Sequence, residues 1–195
     1  FEAMEKALAA KTDILLIEDL SAVADAQMTL VSSVETLTSA ATGLSATLGA
    51  EAMGAGIATV TLAGTNATGV ADTVTVAAAF TSAITVNVDT SVAADTNTIN
   101  ASAYTGALTV NMASATALTT ATVPMVLTGG TGTSDTLNVV GGTYSATHLA
   151  TVTAIESFVV SNDATASFTI SDASTTATQS LTLDGRAIIN TANTF

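Results

Sequence analysis

Downstream of Gly54 and Gly56 the chain alternates between apolar and polar residues in short bursts. Ile57-Ala58-Thr59-Val60-Thr61-Leu62 is the first, and Asp72-Thr73-Val74-Thr75-Val76 follows. Ala83 to Val88, Thr98 to Ala101 and Ala107 to Met112 continue the series. Val123 to Leu127, Thr136 to Val140, Ser157 to Val160, Ser167 to Ile170 and Ser180 to Leu183 extend it toward the end. A period of two with Thr, Asn or Ser on alternate positions predicts strands with one buried face. Gly, Asn, Asp, Ser and Thr separate the bursts, which recur every 10 to 20 residues or so. Irregular recurrence of short strands predicts a solenoid whose rungs differ in loop length. The competing architecture is a β-sandwich, which uses similar strands joined by hairpins. Hairpin punctuation is scarce, because Asp184-Gly185 is the one Asn-Gly or Asp-Gly pair and it follows the last clear strand. Parallel coils are therefore favoured. Pro124, the single proline, belongs at an edge, a strand start or a bulge.

The first quarter reads differently. Leu16, Leu20, Val23, Gln27, Leu30, Val34, Leu37, Ala41, Leu44 and Leu48 follow alternating steps of four and three. That spacing is a heptad seam and predicts helix from about Met4 to Leu48. Charges at Glu2, Glu5 and Lys6 load its front, and Gly43 and Gly49 mark where it should fray or stop. Such a helix would pack on the remainder of the fold or pair with another chain. The expected organisation is an α-helical segment over residues 1–53 and a β-solenoid over 54–195. The fold class is thus mainly β, a parallel β-helix with a helical front.

Composition sharpens this. The 195 residues carry 16 Asp and Glu against 3 Lys and Arg, a net charge of −13, and no Lys or Arg between Lys11 and Arg186. Binding through phosphate is disfavoured, because nucleic-acid affinity comes mainly from Lys and Arg. Anionic membrane surfaces are disfavoured on the same ground. No run approaches the length of a membrane span. Hydrophobic residues reach 48% of the chain while aromatics are 4%. That balance suits thin layers of small and β-branched side chains. There is no cysteine, so in an exported protein the staples would be metal ions, stacked rungs or contacts between copies. The chain opens on Phe1 without a recognisable export leader, and is expected to be a segment or processed piece of a longer protein.

Carboxylates without resident cations must repel, be solvated or be neutralised from outside. For all-oxygen ligands the outside partner is calcium first. Asp72, Asp89, Asp95, Asp163, Asp172 and Asp184 fall where a solenoid places turns. For each of them singly, a solvated turn or Asx cap is the plainer reading. His148 is the lone histidine; without a second His or a Cys it suits a loop better than a transition-metal site. No G-x-S-x-G elbow is present. The basic-free span also lacks the groups with which β-helix enzymes grip acidic sugars. A non-catalytic scaffold is expected.

The most specific local feature is Gly129-Gly130-Thr131-Gly132-Thr133-Ser134-Asp135-Thr136-Leu137. It resembles the calcium-binding nonapeptide of the repeats-in-toxin family, G-G-x-G-x-D-x-U-x. Ser134 stands where that pattern has aspartate, and Asp135 comes one residue late. Gly132 to Val139 followed by Val152-Thr153-Ala154-Ile155-Glu156-Ser157-Phe158-Val159-Val160 resembles a recurring unit of bacterial surface-layer proteins, and Thr98 to Leu108 has a similar style. The resemblance covers the chain from about Gly54. It implies a secreted, calcium-dependent β-solenoid that assembles with copies of itself into a cell-surface lattice, with cell-surface polysaccharide as a further partner. A spacer in a large adhesin, or a filament subunit joined through the front helix, are the alternatives. The residues expected to bind Ca2+ are Gly129, Thr131, Gly132 and Asp135, from the nonapeptide likeness, and Asp163, Asp172 and Asp184, from their turn positions. Glu156, at the start of an apolar strand, could cap a rung or complete a site.

Overall fold

The fold is seen in a computed structural model that describes residues 13–17, 22–39, 43–62, 71–88, 97–119, 125–161, 166–169 and 182–185. Numbered in chain order, the strands divide between two parallel sheets and a small third one. The first sheet stacks β1 (Ile14–Ile17), β3 (Thr36–Ser39), β5 (Thr59–Leu62), β7 (Ile84–Val88), β9 (Leu108–Met112), β11 (Thr136–Val139), β14 (Ser157–Val160) and β16 (Thr182–Asp184), in that order. The second stacks β2 (Ala22–Val23), β4 (Ser45–Leu48), β6 (Thr73–Val76), β8 (Thr98–Asn100), β10 (Val126–Thr128) and β13 (Val152–Thr153). A two-stranded sheet joins β12 (Thr143–Tyr144) to β15 (Ser167–Phe168).

Every strand pair among the described residues is parallel. Register partners in the first sheet lie 21 to 27 residues apart, as Thr136 with Ser157 and Thr109 with Thr136 illustrate. Parallel neighbours need such crossovers, which a two-residue hairpin cannot supply. The chain therefore winds as a β-solenoid, and the sandwich alternative fails on strand direction.

Alternation explains the core. Leu37, Val60, Val86, Val110, Leu137 and Phe158 occupy one inward column of the first sheet, all fully buried. Ala46, Val74, Ile99, Leu127 and Val152 form the facing column of the second. Bulk is added at the corners: Phe80 and Tyr104 meet edge to face at 6.2 Å, and Tyr144 stacks on Phe168 at 4.9 Å. Small β-branched residues let two sheets close on a narrow core, and each rung buries its neighbours' inward faces.

Of the helix expected from Met4 to Leu48, residues 4–12, 18–21 and 40–42 lie outside the described residues, and over the rest the expectation is corrected by the strands found there. Among residues 13–53, β1 to β4 form, with a 3-10 turn at Asp25–Met28 and a six-residue helix, Ala50–Ala55, that begins at the end of this stretch. The heptad seam does not stay on one face. Leu37, Leu44 and Leu48 are buried, whereas Leu16 is 49% and Leu30 97% exposed. Thr36-Leu37-Thr38-Ser39 and Ser45-Ala46-Thr47-Leu48 carry a period of two that the longer three-four spacing masked. Pairing decided the outcome: β3 docks on β5 and β4 on β6, so both sheets run unbroken across the expected boundary at residue 54. Of the strand expected over Val123 to Leu127, Val123 and Pro124 lie outside the described residues, and the strand described there is Val126 to Thr128.

Candidate functional site

A polar or acidic residue stands immediately before several strands, at the corner where the chain turns into the sheet. Asp13 precedes β1, Glu35 precedes β3, Asp72 precedes β6, Asn97 precedes β8, Asp135 precedes β11 and Glu156 precedes β14. The chain side of this corner cannot use the regular ladder for every N–H, so side chains accept them. Leu44 N donates to Asp72 Oδ1 at 2.6 Å, and Asp72 N donates to Asn97 Oδ1 at 3.0 Å. In the other sheet Leu108 N donates to Asp135 Oδ1 at 2.9 Å, and Asp135 N to Glu156 Oε2 at 2.8 Å. Asp13 N donates to Glu35 Oε2 at 2.8 Å. Each bond reaches one rung onward, so the acids clip successive coils together.

Asp25 does related work at a helix end. Its Oδ1 accepts the N–H groups of Gly49 and Ala52, both at 2.8 Å, and so covers exposed donors of Ala50–Ala55.

The densest of these clips is the Asp135–Glu156 pair. Asp135 is fully buried, and its second oxygen, Oδ2, accepts the Gly130 N–H. The Asp135 carbonyl in turn accepts Glu156 N and Ser157 N at 3.1 and 3.0 Å. Gly129 and Gly130 are glycines for want of room. A Cβ on Gly129 would lie 1.8 Å from the Ala154 carbonyl oxygen and 2.9 Å from Asp135 Oδ2. One on Gly130 would lie 2.4 Å from the Tyr104 carbonyl oxygen. Ala154 itself sits at φ 54°, in the left-handed region.

Glu156 is 6% exposed, and its Oε1 is the one buried side-chain oxygen or nitrogen among the described residues with no hydrogen-bond partner. Burial pushes its carboxyl above the usual range, and the neighbouring Asp135 charge adds to this; bonds from backbone N–H groups work in the opposite direction. Burial, then the Asp135 charge, likewise raises the Tyr104 phenol to about 12.

Of the residues expected to bind calcium, Gly129 and Asp135 converge here, next to Glu156. Thr131 is exposed, and its N–H donates to the Tyr104 carbonyl at 2.8 Å. Gly132 lies in the same bend. Asp184 is not brought to them: it ends β16 on the outward side of the sheet, in register with Val159. Asp163 and Asp172 lie outside the described residues, as do Asp89 and Asp95. Asp72 is a buried corner residue rather than a solvated turn. Among the described residues no three His, Cys, Asp or Glu side chains gather as a metal cluster.

Glu156 Oε1 and the Asp135 carboxylate are oxygen donors of the kind a hard cation takes, but both Asp135 oxygens already accept backbone N–H groups, which leaves Glu156 Oε1 as the oxygen without a donor. A calcium ion bound there would supply the positive charge that this buried pair lacks. His148 closes a local turn, with Ser145 N donating to Nδ1 at 3.3 Å.

The polar or acidic residue just before a strand was the signal the sequence offered and turn-based reasoning missed. Asp72-Thr73, Asn97-Thr98, Asp135-Thr136 and Glu156-Ser157 share it. It also accounts for Asp135 coming one residue late against the nonapeptide: that position is the corner. Among the described residues, no helix is long and apolar enough to cross a membrane. No family model matches the chain, and comparison with curated proteins and with solved structures likewise returns no match.

Proposed function

We propose that this chain is a non-catalytic structural subunit of an extracellular cell-surface layer, assembling with copies of itself and stabilised by calcium. The observation that carries the reading is the set of corner residues in both sheets: the buried carboxylates of Asp72, Asp135 and Glu156 are spent on clipping one rung to the next, which is the work of a scaffold. The sequence likeness to surface-layer units across Gly132 to Val160 adds to it, because that segment contains the Asp135–Glu156 pair. The orphan oxygen of Glu156 is the place where added cation would matter most. A filament joined through a front helix loses its footing, since residues 14–17, 22–23, 36–39 and 45–48 are strands.

The test is particle size by light scattering, with far-UV circular dichroism, in calcium and after chelation with EGTA. Large ordered assemblies in calcium, with dissociation or a lower melting point in chelator, are expected. A chain that stays monomeric under every condition sinks the assembly reading. Identical melting with and without calcium sinks the calcium part.

A further inference from the structure

We propose that the outward face of the first sheet is the surface through which two copies of this chain dock face to face. The proposal rests on the assembly reading above and names its contact. Register places Thr36, Thr59, Thr85, Thr109, Thr136, Ser157 and Thr182 in one outward column. A second outward column runs Thr38, Thr61, Asn87, Asn111 and Asn138. The amides are already ordered. Asn111 Nδ2 donates to Asn87 Oδ1 at 2.8 Å, and Asn138 Nδ2 to Asn111 Oδ1 at 2.6 Å. A ladder fixed before contact loses little side-chain entropy on binding.

Three arguments select a second copy as the occupant. The first is period. A face repeating every 4.8 Å or so is matched by a partner with that same repeat, and an identical solenoid has it by construction. Stacked identical side chains, Asn ladders included, are the groups that interdigitate when like sheets pair. The second is charge. In a chain of net charge −13, the five rungs from Thr36 to Asn138 present no charged side chain in either outward column. Like-charged molecules approach at least cost through such a patch. The third is extent. Eight strands give a face about 35 Å tall and about 13 Å wide. Pairing two such faces would bury about 1,000 Å² in total, near the lower bound for a specific contact. That is a weak pairwise bond, of the kind a lattice multiplies.

The ends of the columns differ from the middle. Ile14 and Leu16 continue them on β1 and are 63% and 49% exposed, while Val159 and then Asp184 continue the second column at the other end. The uncharged part of the face therefore runs from β1 to β14, and Asp184 on β16 bounds it. A groove of about 300 Å³ beside the amide column, lined by Thr61, Asn87, Val88, Asn111, Met112 and Ala113, leaves room for partner side chains.

The experiment compares the full chain with Thr85→Glu/Thr109→Glu, with Thr85→Lys/Thr109→Lys, and with Thr73→Glu/Thr98→Glu on the second sheet. Far-UV circular dichroism confirms the fold of each. Association measured by sedimentation should weaken at least tenfold or so in both first-sheet pairs, because like charges of either sign then face each other. The second-sheet pair should associate like the parent chain. If the parent associates and the first-sheet pairs do so equally well, this docking face is wrong while assembly stands. If the parent itself never associates, both fail.

Discussion

The first rung and the middle rungs are built on one plan and reach different ends. In β11 the inward Leu137 is fully buried between Val110 and Phe158. In β1 the equivalent Leu15 is half-buried, and the outward neighbours Ile14 and Leu16 are apolar and exposed. The corner acids differ in the same way. Asp135 is fully buried and accepts two backbone N–H groups, whereas Glu35 is half-buried and accepts one from Asp13. A rung in a solenoid is dried by the rung on each side of it. Among the described residues β1 has a partner on one side only. Depth in the stack, more than residue type, sets what a given side chain contributes.

The sharpest way to break this comparison is one chemistry at two depths. Leu137→Ala should cost about 3 kcal/mol, within the range for buried leucines, because its cavity is walled by neighbouring rungs. Leu15→Ala should cost about 1 kcal/mol, since much of that surface is already wet. Urea denaturation measures both, and equal costs would mean that the end rung is as well buried as the middle.

The corner offers the next contrast. Asp135→Ala strands the buried N–H groups of Leu108 and Gly130, at about 1–3 kcal/mol for each unsatisfied donor. Glu35→Ala frees a single, part-buried donor and should cost about 1 kcal/mol. Thermal melts of both variants at one pH test the order, and a reversal would show that the clips do not matter in proportion to burial.

Gly129→Ala probes the same corner from its crowded side. A Cβ 1.8 Å from the Ala154 carbonyl forces backbone movement, for about 1–3 kcal/mol. Gly54→Ala, where a Cβ meets nothing within 4 Å, should leave stability unchanged or raise it. Equal melting points for these two variants would undo the crowding argument.

The smallest effect is the most diagnostic of the pair's charge. Glu156 has its folded-state pKa raised, first by burial and then by Asp135. A carboxyl raised on folding favours the folded state while protonated, so its contribution is fully present below its unfolded value of about 4.3. It is lost as pH climbs through the folded value. In chelator, Glu156→Gln should therefore melt with the parent at low pH and above it at neutral pH. Calcium should then raise the parent's melting point and leave Glu156→Gln unmoved. A parent that gains nothing on the variant as calcium is added would separate the pair from any cation.

Much of this was legible in the residues. Thr73-Val74-Thr75-Val76 and Thr136-Leu137-Asn138-Val139 state their own alternation, and the lack of hairpin turns points to parallel pairing. The Leu16-to-Leu48 seam misled for a physical reason. Spacing by three and four over a Ser-, Thr- and Ala-rich segment is compatible with two short strands per coil, and four-residue strands carry little local preference. Their commitment came from β5 and β6, a full rung away. At the candidate site, the Gly129-Gly130 pair and Asp135 were visible. The engagement of Asp135 with Leu108, 27 residues upstream, and of Glu156 with Asp135 was not, because rung length varies with the loops.

The sequence alone therefore determined which face turns inward in the alternating strands beyond Gly54, since a period of two is a property of neighbouring residues. It also determined that the core would be thin and the surface hydroxyl-rich. Only the tertiary structure decided how far each coil runs before it meets the last. That register converts a scatter of turn acids into buried clips in both sheets, because a hydrogen bond between rungs depends on two residues more than 20 positions apart arriving at neighbouring corners.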